Sequence, residues 1–523
     1  MLRTNYFVQN APVLKDVWRL ALPVLLTNLL QTSVNVVDVF MVGRLGPFEI
    51  AAIGMSQVVR MLLLVGMLSV TAGAMTLAAQ AKGGRDPKQL AFVAKQSLLL
   101  AVLFGLVLGV IGWLTARPIL TFLASGDARD VIELGTGYLK IFFLGAGFLA
   151  INFTVNRLMQ GAGDTKTPFA LVGSINVLNI LFNYLLMFGP GPFPALGING
   201  AALGTVISRG IGAVAGIIIL YSGRNVVRIF SWRYWPDWPM FKDILSIGVP
   251  SGLQGLARNS TQILVIRIIT STSAGAFGAA ALAIGYQIES LIFMPVLGVN
   301  VAATALVGQS LGAWQTDEAK LRGNLAIAIG VAMTVVLCIP MVFFAPQLVT
   351  LFDPSAHPTI LSAGTSYLRI HGTFLPVVAI SMVVNGALRG AGDTMPGLWG
   401  TILGRIFVAV SLAYIFALVL GFGVVGVWWA SVIGTCVQTV VLIIRWVRKK
   451  WFGVALRKTN LYRQHLKHLP EPEQQRYLKE VRTPLMKQAG TTEQVDEGEV
   501  IYDGSGGRVE VQFGEGSYQL QHV

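Results

Sequence analysis

The sequence predicts an all-α integral membrane protein with twelve transmembrane helices, arranged as two parallel six-helix repeats (lobes) around a central cavity. Three observations carry this prediction. Only 12% of the 523 residues are charged against 54% that are hydrophobic, apolar runs of membrane-spanning length recur along the chain, and the first half of the sequence recurs in the second. A soluble domain carries roughly 25% charged residues, so a chain this poor in charge cannot coat a water-facing surface.

Twelve apolar runs reach the length of about 20 residues that a helix needs to cross a bilayer. Helices are expected because lipid offers no hydrogen-bond partner to a free backbone group. An N-terminal lobe, 1–220, is predicted to hold the spans 18–43, 50–79, 93–114, 134–156, 167–189 and 196–220. A C-terminal lobe, 244–450, is predicted to hold the spans 244–270, 276–307, 324–345, 362–387, 396–420 and 424–447.

Two polar segments complete the chain. The segment 221–243, rich in Arg and Trp, is predicted to join the lobes at a cytoplasmic membrane interface, where such residues act as anchors. The cytoplasmic tail, 451–523, is predicted to be partly disordered, mainly over 471–500, because its composition turns polar and charged. Within the tail, the stretch VEVQFGEGSYQL favours a short hairpin.

The repeat is visible in short motifs. Asn156-Arg-Leu-Met-Gln-Gly-Ala-Gly-Asp-Thr165 returns as Asn385-Gly-Ala-Leu-Arg-Gly-Ala-Gly-Asp-Thr394 at an offset of 229, and Gln80 matches Gln309 at the same offset. Several pairs in one order at nearly one offset indicate a duplication. Each half holds an even number of spans, so both halves enter the membrane in the same direction, and a solute site is expected between them.

The net charge of +14 raises the question of a nucleic-acid partner, but its distribution argues against one. Residues 1–450 carry 30 Lys and Arg against 15 Asp and Glu, whereas the tail carries 9 against 10. The surplus therefore lies in the loops between spans, and mainly in the loops on one side. The positive-inside rule places that side in the cytoplasm, which predicts a multi-pass protein of the inner or plasma membrane with both termini cytoplasmic.

Polar side chains form a stripe along the first span. Asn28, Gln31, Asn35 and Asp38 follow one another at steps of three and four residues, which places them on one helical face. Asp38 is one of two acids well inside a span, where an ionisable group is costly and usually functional. A structural carboxylate held by neighbouring hydrogen bonds is the alternative, and the polar stripe favours a cation or proton site.

The fifth span repeats this arrangement. Asn176, Asn179 and Asn183 lie on one face, and Thr205 of the sixth span is placed to join them. Amide carbonyl oxygens suit a hard monovalent cation or an ordered water. Hydrogen bonding between helices explains these residues equally well.

The second lobe has a different set of polar residues. Gln254, Arg258 and Gln262 fall at steps of four in the seventh span, and Arg405 lies near the middle of the eleventh. At an offset of 227, Arg258 stands where the first lobe has Gln31, so this lobe gains a cation. Salt bridges between helices, for example with the second buried acid, Glu289, are one interpretation; a wall of the cavity that attracts anions is the other.

Two kinds of position are interpreted as structural. Pro23 and its repeat partner Pro250 should bend their helices, because proline lacks an N–H and its ring clashes with the preceding turn. In the repeated Gly-Ala-Gly-Asp-Thr motif, Asp164 and Asp393 suit a turn or an N-cap before the next helix.

These residues resemble a known family. Over about 18–447 the chain is similar to the MATE family (multidrug and toxic compound extrusion), within a larger flippase superfamily. Five motifs carry the resemblance: LALP with Asp38 fifteen residues after Pro23, Asn156-x-x-x-Gln-Gly-Ala-Gly-Asp, the Asn179–Asn183 segment, QIESLIFMP from Gln287 and VGQSLGA from Val307. Each motif alone is weak, and together with the duplication and the span count they are specific.

The resemblance implies alternating access and export of small organic compounds in exchange for Na⁺ or H⁺. It assigns the coupling ion to Asp38, with neighbouring ligands at Asn179, Asn183 and Thr205, and it implies no other cofactor or metal. Some family members carry acids where this chain has Asn183, Arg258 and Val378, which argues against a second cation site in the C-terminal lobe. The polar residues predicted to line the substrate cavity are Asn28, Gln31, Asn35, Asn156, Asn176, Gln254, Arg258, Gln262, Gln287 and Arg405.

Other functions stay open at this stage. A lipid-linked glycan flippase of the same superfamily would use the arginines of the second lobe for a pyrophosphate head group, and an exporter of organic anions would use them for its substrate. An enzyme is not expected, because no metal-ligand spacing and no phosphate-binding glycine-rich loop occurs in the sequence. The protein is expected to act as a monomer.

Overall fold

The computed structural model describes residues 11–123, 128–229, 235–354 and 357–458, and three strands beyond them. The first part forms α1 (Ala11–Gly43), α2 (Pro47–Gly83), α3 (Pro87–Leu123), α4 (Arg129–Leu144), α5 (Ala146–Gly161), α6 (Lys166–Phe188) and α7 (Gly197–Tyr221). The second part forms α8 (Trp238–Thr270), α9 (Gly275–Gly312), α10 (Thr316–Phe343), α11 (Ala345–Phe352), α12 (Pro358–Gly390), α13 (Met395–Val419), α14 (Gly423–Val447) and α15 (Trp451–Lys458). The strands are β1 (Val500–Tyr502), β2 (Val509–Phe513) and β3 (Gly516–Leu520).

By length and composition, nine helices of the described residues can cross a membrane, and eleven if each bent pair counts as one span. One bent pair is α4 and α5, which meet at 52° and together replace the single predicted span 134–156. The other lies within α2, whose parts meet at 43°. The remaining span of the predicted twelve is α8, whose membrane region carries two arginines, Arg258 and Arg267, and a polar run from Arg258 to Gln262.

The tail is only partly described. Strands β2 and β3 pair antiparallel with Val509 opposite Leu520, so the hairpin predicted for VEVQFGEGSYQL is confirmed. Disorder is predicted over 471–500, and residues 471–499 of this range lie outside the described part of the chain. In the segment between the lobes, Gln96 of α3 donates to the carbonyl of Trp235 at 2.7 Å and accepts from the amide of Asp237 at 3.1 Å, so this segment is bound to the first lobe.

The repeated Gly-Ala-Gly-Asp-Thr motif is structural, as predicted. Gly163 and Gly392 both have positive φ, +89° and +78°, a conformation that glycine adopts without strain. The side chain of Asp164 then accepts from the amide of Thr167 at 3.0 Å and caps α6. Asp393 is used differently, because its carboxylate accepts from Arg445 Nε at 2.6 Å.

The two lobes contact each other closely at one end of the molecule. Glycines there bring backbones together: a Cβ at Gly248 of α8 would lie 1.4 Å from the carbonyl oxygen of Ser69, and a Cβ at Gly83 would lie 1.9 Å from that of Gln309. Apolar side chains of α1 and α9, among them Val17 and Val299, share a buried cluster at the same end. Any larger residue at these glycines would force the lobes apart.

Two glutamines related by the repeat also join the lobes at this end. Gln80 of α2 donates to the carbonyl of Gly390 at the end of α12, at 3.0 Å. Gln309 of α9 donates to the carbonyl of Gly161 at the end of α5, at 2.9 Å. The offset of 229 residues relates both the donors and the acceptors, so the two hydrogen bonds, here called the glutamine pair, are equivalent across the duplication.

Candidate functional site

The structure brings the four predicted ion-site residues of the first lobe together. Asn183 Nδ2 donates to Asp38 Oδ1 at 2.8 Å, and the amides of Asn179 and Asn183 lie 3.4 Å apart. Asn179 Nδ2 also donates to Thr205 Oγ1 at 3.1 Å and approaches Ser208 Oγ at 3.5 Å. Asp38 of α1 is thereby joined to α6 and α7 by one continuous chain of hydrogen bonds.

Close helix packing makes room for this chain. Gly204 of α7 lies so near α6 that a Cβ on it would be 2.4 Å from Asn183 Oδ1. Asn179 and Asn183 lie one turn apart on α6, so both face α7. The set offers one carboxylate, two amide carbonyl oxygens and a hydroxyl, which are the donors that a hard monovalent cation prefers. A proton on Asp38 would fit the same place.

Two arginines beside this site were not singled out by the sequence reasoning. Arg60 Nη1 of α2 donates to the hydroxyl of Tyr138 at 2.8 Å, and its guanidinium lies 4.6 Å from the ring centre of Phe142. Arg209 of α7 and Arg60 both lie within electrostatic reach of Asp38. The signal was present in the sequence, because each is a basic residue alone in an apolar run.

The remaining predicted residues of the first lobe lie outside the hydrogen-bonded chain. On α1, Asn28 and Gln31 are half-buried and Asn35 is exposed. Asn176 has a buried Nδ2 without a partner, and Asn156 has a buried Oδ1 without one, among the described residues. Polar atoms left in this state usually meet water or a ligand, so these positions stay candidates for the cavity wall.

In the second lobe a hydrogen-bonded network crosses four helices. Asn385 of α12 donates to Gln254 Oε1 at 3.1 Å, and Gln254 Nε2 donates to Thr401 Oγ1 at 3.2 Å. Gln438 of α14 donates to the same hydroxyl at 3.0 Å and accepts from Arg405 Nε at 2.9 Å. Arg405 lies in a π-helical stretch of α13, Ile402–Val410, and such stretches occur frequently at functional sites. The predicted cavity residues Gln262 and Gln287 are exposed and do not enter this network.

The interpretation that Glu289 forms a salt bridge with an arginine is wrong. Its carboxylate accepts the hydroxyl proton of Tyr367 and lies 3.9 Å from Nδ1 of His371. The ring of Tyr367 stacks on that of His371 at 4.1 Å and meets the edge of Trp428 at 5.0 Å. Neither Arg258 nor Arg405 forms an ion pair with Glu289 among the described residues. Arg258, one turn after Gln254, has an exposed side chain and no ion pair within the described residues.

Comparison with known proteins agrees with this architecture. The MatE family model matches residues 23–185 and 250–415, one segment in each lobe. A protein of Thermotoga maritima named "Probable multidrug resistance protein NorM" is 26% identical over 84% of this chain and 93% of its own length. Its namesake in Mesorhizobium japonicum is 29% identical over 82% and 92%.

Solved structures agree as well. A multidrug resistance MATE family transporter of the MOP superfamily, in an outward-facing conformation, is 26% identical, covers 86% of this chain and 96% of its own, and superposes with a TM-score of 0.75. A MOP superfamily transporter from Pyrococcus furiosus, 24% identical, has the same fold with a TM-score of 0.77 over 86% and 97%. This fold has two lobes and twelve transmembrane helices, as the sequence predicts. The chain belongs to the MATE family of membrane transporters.

Proposed function

We propose that this protein is a secondary antiporter that exports small organic compounds in exchange for Na⁺ or H⁺. Relatives named as multidrug resistance proteins support the substrate class. The observation that carries the coupling is the chain of hydrogen bonds from Asp38 through Asn183 and Asn179 to Thr205. It holds the carboxylate of Asp38 among polar groups of α6 and α7, where a cation or a proton would neutralise it.

Helix α1 can pass this change of charge to the contact between the lobes. Pro23 has no N–H to donate to the carbonyl of Arg19, so the backbone hydrogen bonds of α1 are interrupted there. That carbonyl lies 3.5 Å from the hydroxyl of Thr165. Below Pro23, Val17 packs in the cluster that joins α1 to α9. A change in how Asp38 is held would therefore alter the packing of α1 against the opposite lobe. The helix runs on through Pro23 and α8 runs on through Pro250, and the predicted bends stay predictions.

Alternating access requires that the contact between the lobes can open. The direct backbone contacts and the glutamine pair lie where Lys82, Arg85 and Lys88 emerge, the end predicted to be cytoplasmic. The arrangement therefore corresponds to a transporter that is closed at its predicted cytoplasmic end. Opening that end would break two hydrogen bonds of equal kind, which suits a reversible change between states of similar free energy.

The decisive experiment replaces Asp38 by Asn, which keeps the size of the side chain and removes its charge. Purified protein in vesicles, under an imposed Na⁺ or pH gradient, should lose gradient-driven transport of a fluorescent compound while its thermal unfolding stays near that of the parent. Asp130→Asn, on the exposed first turn of α4, is the matched control and should transport normally. A folded Asp38→Asn protein that exports at the parent rate would remove Asp38 from the mechanism. The gradient that drives transport identifies the coupling ion.

A further inference from the structure

Four arginines form a row that begins where the lobes meet and continues into the second lobe. The backbone carbonyl of Arg389, at the end of α12, accepts from Thr76 of α2 at 2.9 Å. Gly161, four residues after Arg157 on α5, lies against the carbonyl of Met75 on the same turn of α2, so the ends of α12 and α5 meet there. Arg258 lies one turn after Gln254 of α8, and Arg405 of α13 donates to Gln438. Both glutamines donate to Thr401 Oγ1, so the two arginines flank one hydrogen-bonded network. Arg157 belongs to the first lobe and the other three to the second, so this arginine row spans the boundary between them.

The charges of the arginine row are not matched by carboxylates. Within the described part of the chain, the ion pairs of Arg322, Arg445 and Lys449 all lie elsewhere, and the row has none. Glu289 already accepts from Tyr367 and lies 3.9 Å from His371, and it forms no ion pair with Arg405 among the described residues. Like charges brought together without a counter-ion are costly in a low-dielectric interior.

Helix ends offset part of this cost. Arg389 lies in the last turn of α12, where the helix dipole favours a cation, whereas Arg157 precedes the last turn of α5. Arg258 and Arg405 lie in mid-helix and gain no such help. An external anion is the partner that would balance all four charges, and the side chain of Arg258 is exposed.

Unused hydrogen-bond donors remain at the row. Nε of Arg405 donates to Gln438 and Nη1 of Arg157 donates to Gln160. Nε of Arg389 is buried and has no hydrogen-bond partner among the described residues. A guanidinium has five N–H donors in a planar fork, which match the oxygens of a carboxylate, sulfonate or phosphate in pairs. The row therefore combines charge and geometry for an oxyanion.

We propose that the arginine row binds an anionic group of the transported compound, so that the substrates of this transporter are organic anions or zwitterions. This inference rests on the proposed export function and names its substrate class. It also gives the substrate a part in the transport cycle. Closing the cytoplasmic end brings Arg157 toward Arg389 across the lobes, and an anion between them removes the repulsion that opposes closure.

Binding of two matched probes tests the proposal. Naphthalene-1-sulfonate and naphthyl-1-trimethylammonium share a ring and differ in charge, and their binding to the full-length protein in phosphatidylcholine vesicles can be followed by fluorescence. The sulfonate should bind, and Arg258→Gln and Arg389→Gln should each weaken it about tenfold, the usual size of a lost charge-assisted hydrogen bond. Arg267→Gln, on the exposed outer part of α8, should leave it unchanged. Preference for the ammonium probe, or equal loss of both probes in the variants, would overturn the proposal.

Two further arms separate the remaining explanations. If Arg389→Gln does not fold, Arg389→Lys replaces it, because Lys keeps the positive charge. This variant should retain most of the affinity for the sulfonate if charge attracts the probe. Adding phosphatidylglycerol to the vesicles should not displace the sulfonate; displacement would assign the row to a lipid phosphate instead of a transported solute. Export assays distinguish the two proposals. If the protein exports cations under a gradient and does not bind the sulfonate, only this inference is refuted. If it binds the sulfonate through the arginines and shows no gradient-driven transport, only the export function is refuted.

Discussion

The glutamine pair offers a quantitative test of how the lobes are held together. Gln80 is 1% exposed, and its hydrogen bond to Gly390, like that of Gln309 to Gly161, crosses from one lobe to the other. Replacing either glutamine by Leu removes a bond that exists only while this end is closed. It leaves the packing within each lobe nearly unchanged, because Leu is similar in size.

The expected shift follows from the strength of a neutral hydrogen bond. One such bond contributes about 1 kcal/mol net, so each single variant should raise the population open at this end about fivefold relative to the closed one. The two bonds are equivalent through the repeat and lie on different helices, so their effects should be similar in size and add. The double variant should shift the ratio about 25-fold.

Spin labels at Lys88 and Ala313, both exposed and on opposite lobes, would report the opening as a longer distance, after Cys338 and Cys436 are replaced by Ser. Gln89→Leu is the control, because Gln89 is buried on α3 and its side chain makes no hydrogen bond across the lobes among the described residues. Unchanged distances in both single variants would refute the role of the glutamine pair. An effect from only one of them would refute its equivalence.

Three other variants test separate parts of the structure. Glu289→Leu removes the acceptor of a buried tyrosine hydroxyl and should lower the melting temperature more than Glu289→Gln, measured by circular dichroism. Arg445→Gln removes the ion pair that Arg445 forms with the carboxylate of Asp393, which is 3% exposed. It should destabilise the fold by on the order of 2 kcal/mol in denaturant unfolding, since Arg445 itself is partly exposed; Arg448→Gln on the surface should not. A reporter fused after Lys450 should be active only in its cytoplasmic form, and activity of a periplasmic form would contradict the charge-based orientation.

The sequence was sufficient for features that repeat along one helix. Steps of three and four residues placed Asn179 and Asn183 on one face, and the isolated acid Asp38 marked the helix that meets them. The span count followed from composition, apart from the division of the fourth span at Gly145, which a run of apolar residues on either side conceals. Local spacing and hydropathy carry this information because they depend on a single helix and on lipid.

Partnerships between distant helices could not be derived in the same way. The sequence offered several partners for Glu289, and packing selected Tyr367 and His371, which lie on α12 at a spacing of four residues. Arg157 and Arg389 lie just beyond the predicted spans 134–156 and 362–387, whereas the structure places both within helices, Arg389 in the last turn of α12 and Arg157 before the last turn of α5. Which charges face each other depends on how the two lobes close, and no periodicity within one helix encodes that.

The duplication has kept some positions equivalent and let others diverge, and the difference follows their location. Where the lobes meet, Gln80 and Gln309 still make equivalent hydrogen bonds, because both lobes share this contact and must separate there when it opens. Away from it, Asp38 of the first lobe corresponds to Val265, which is 4% exposed and packed in the core of the second lobe. The second lobe thus lacks the counterpart of the Asp38 carboxylate, and it has Arg258 where the first lobe has Gln31. On the proposed mechanism, one lobe binds the coupling cation and the other the anionic substrate group, while the symmetric contact between them lets either event bias the same opening.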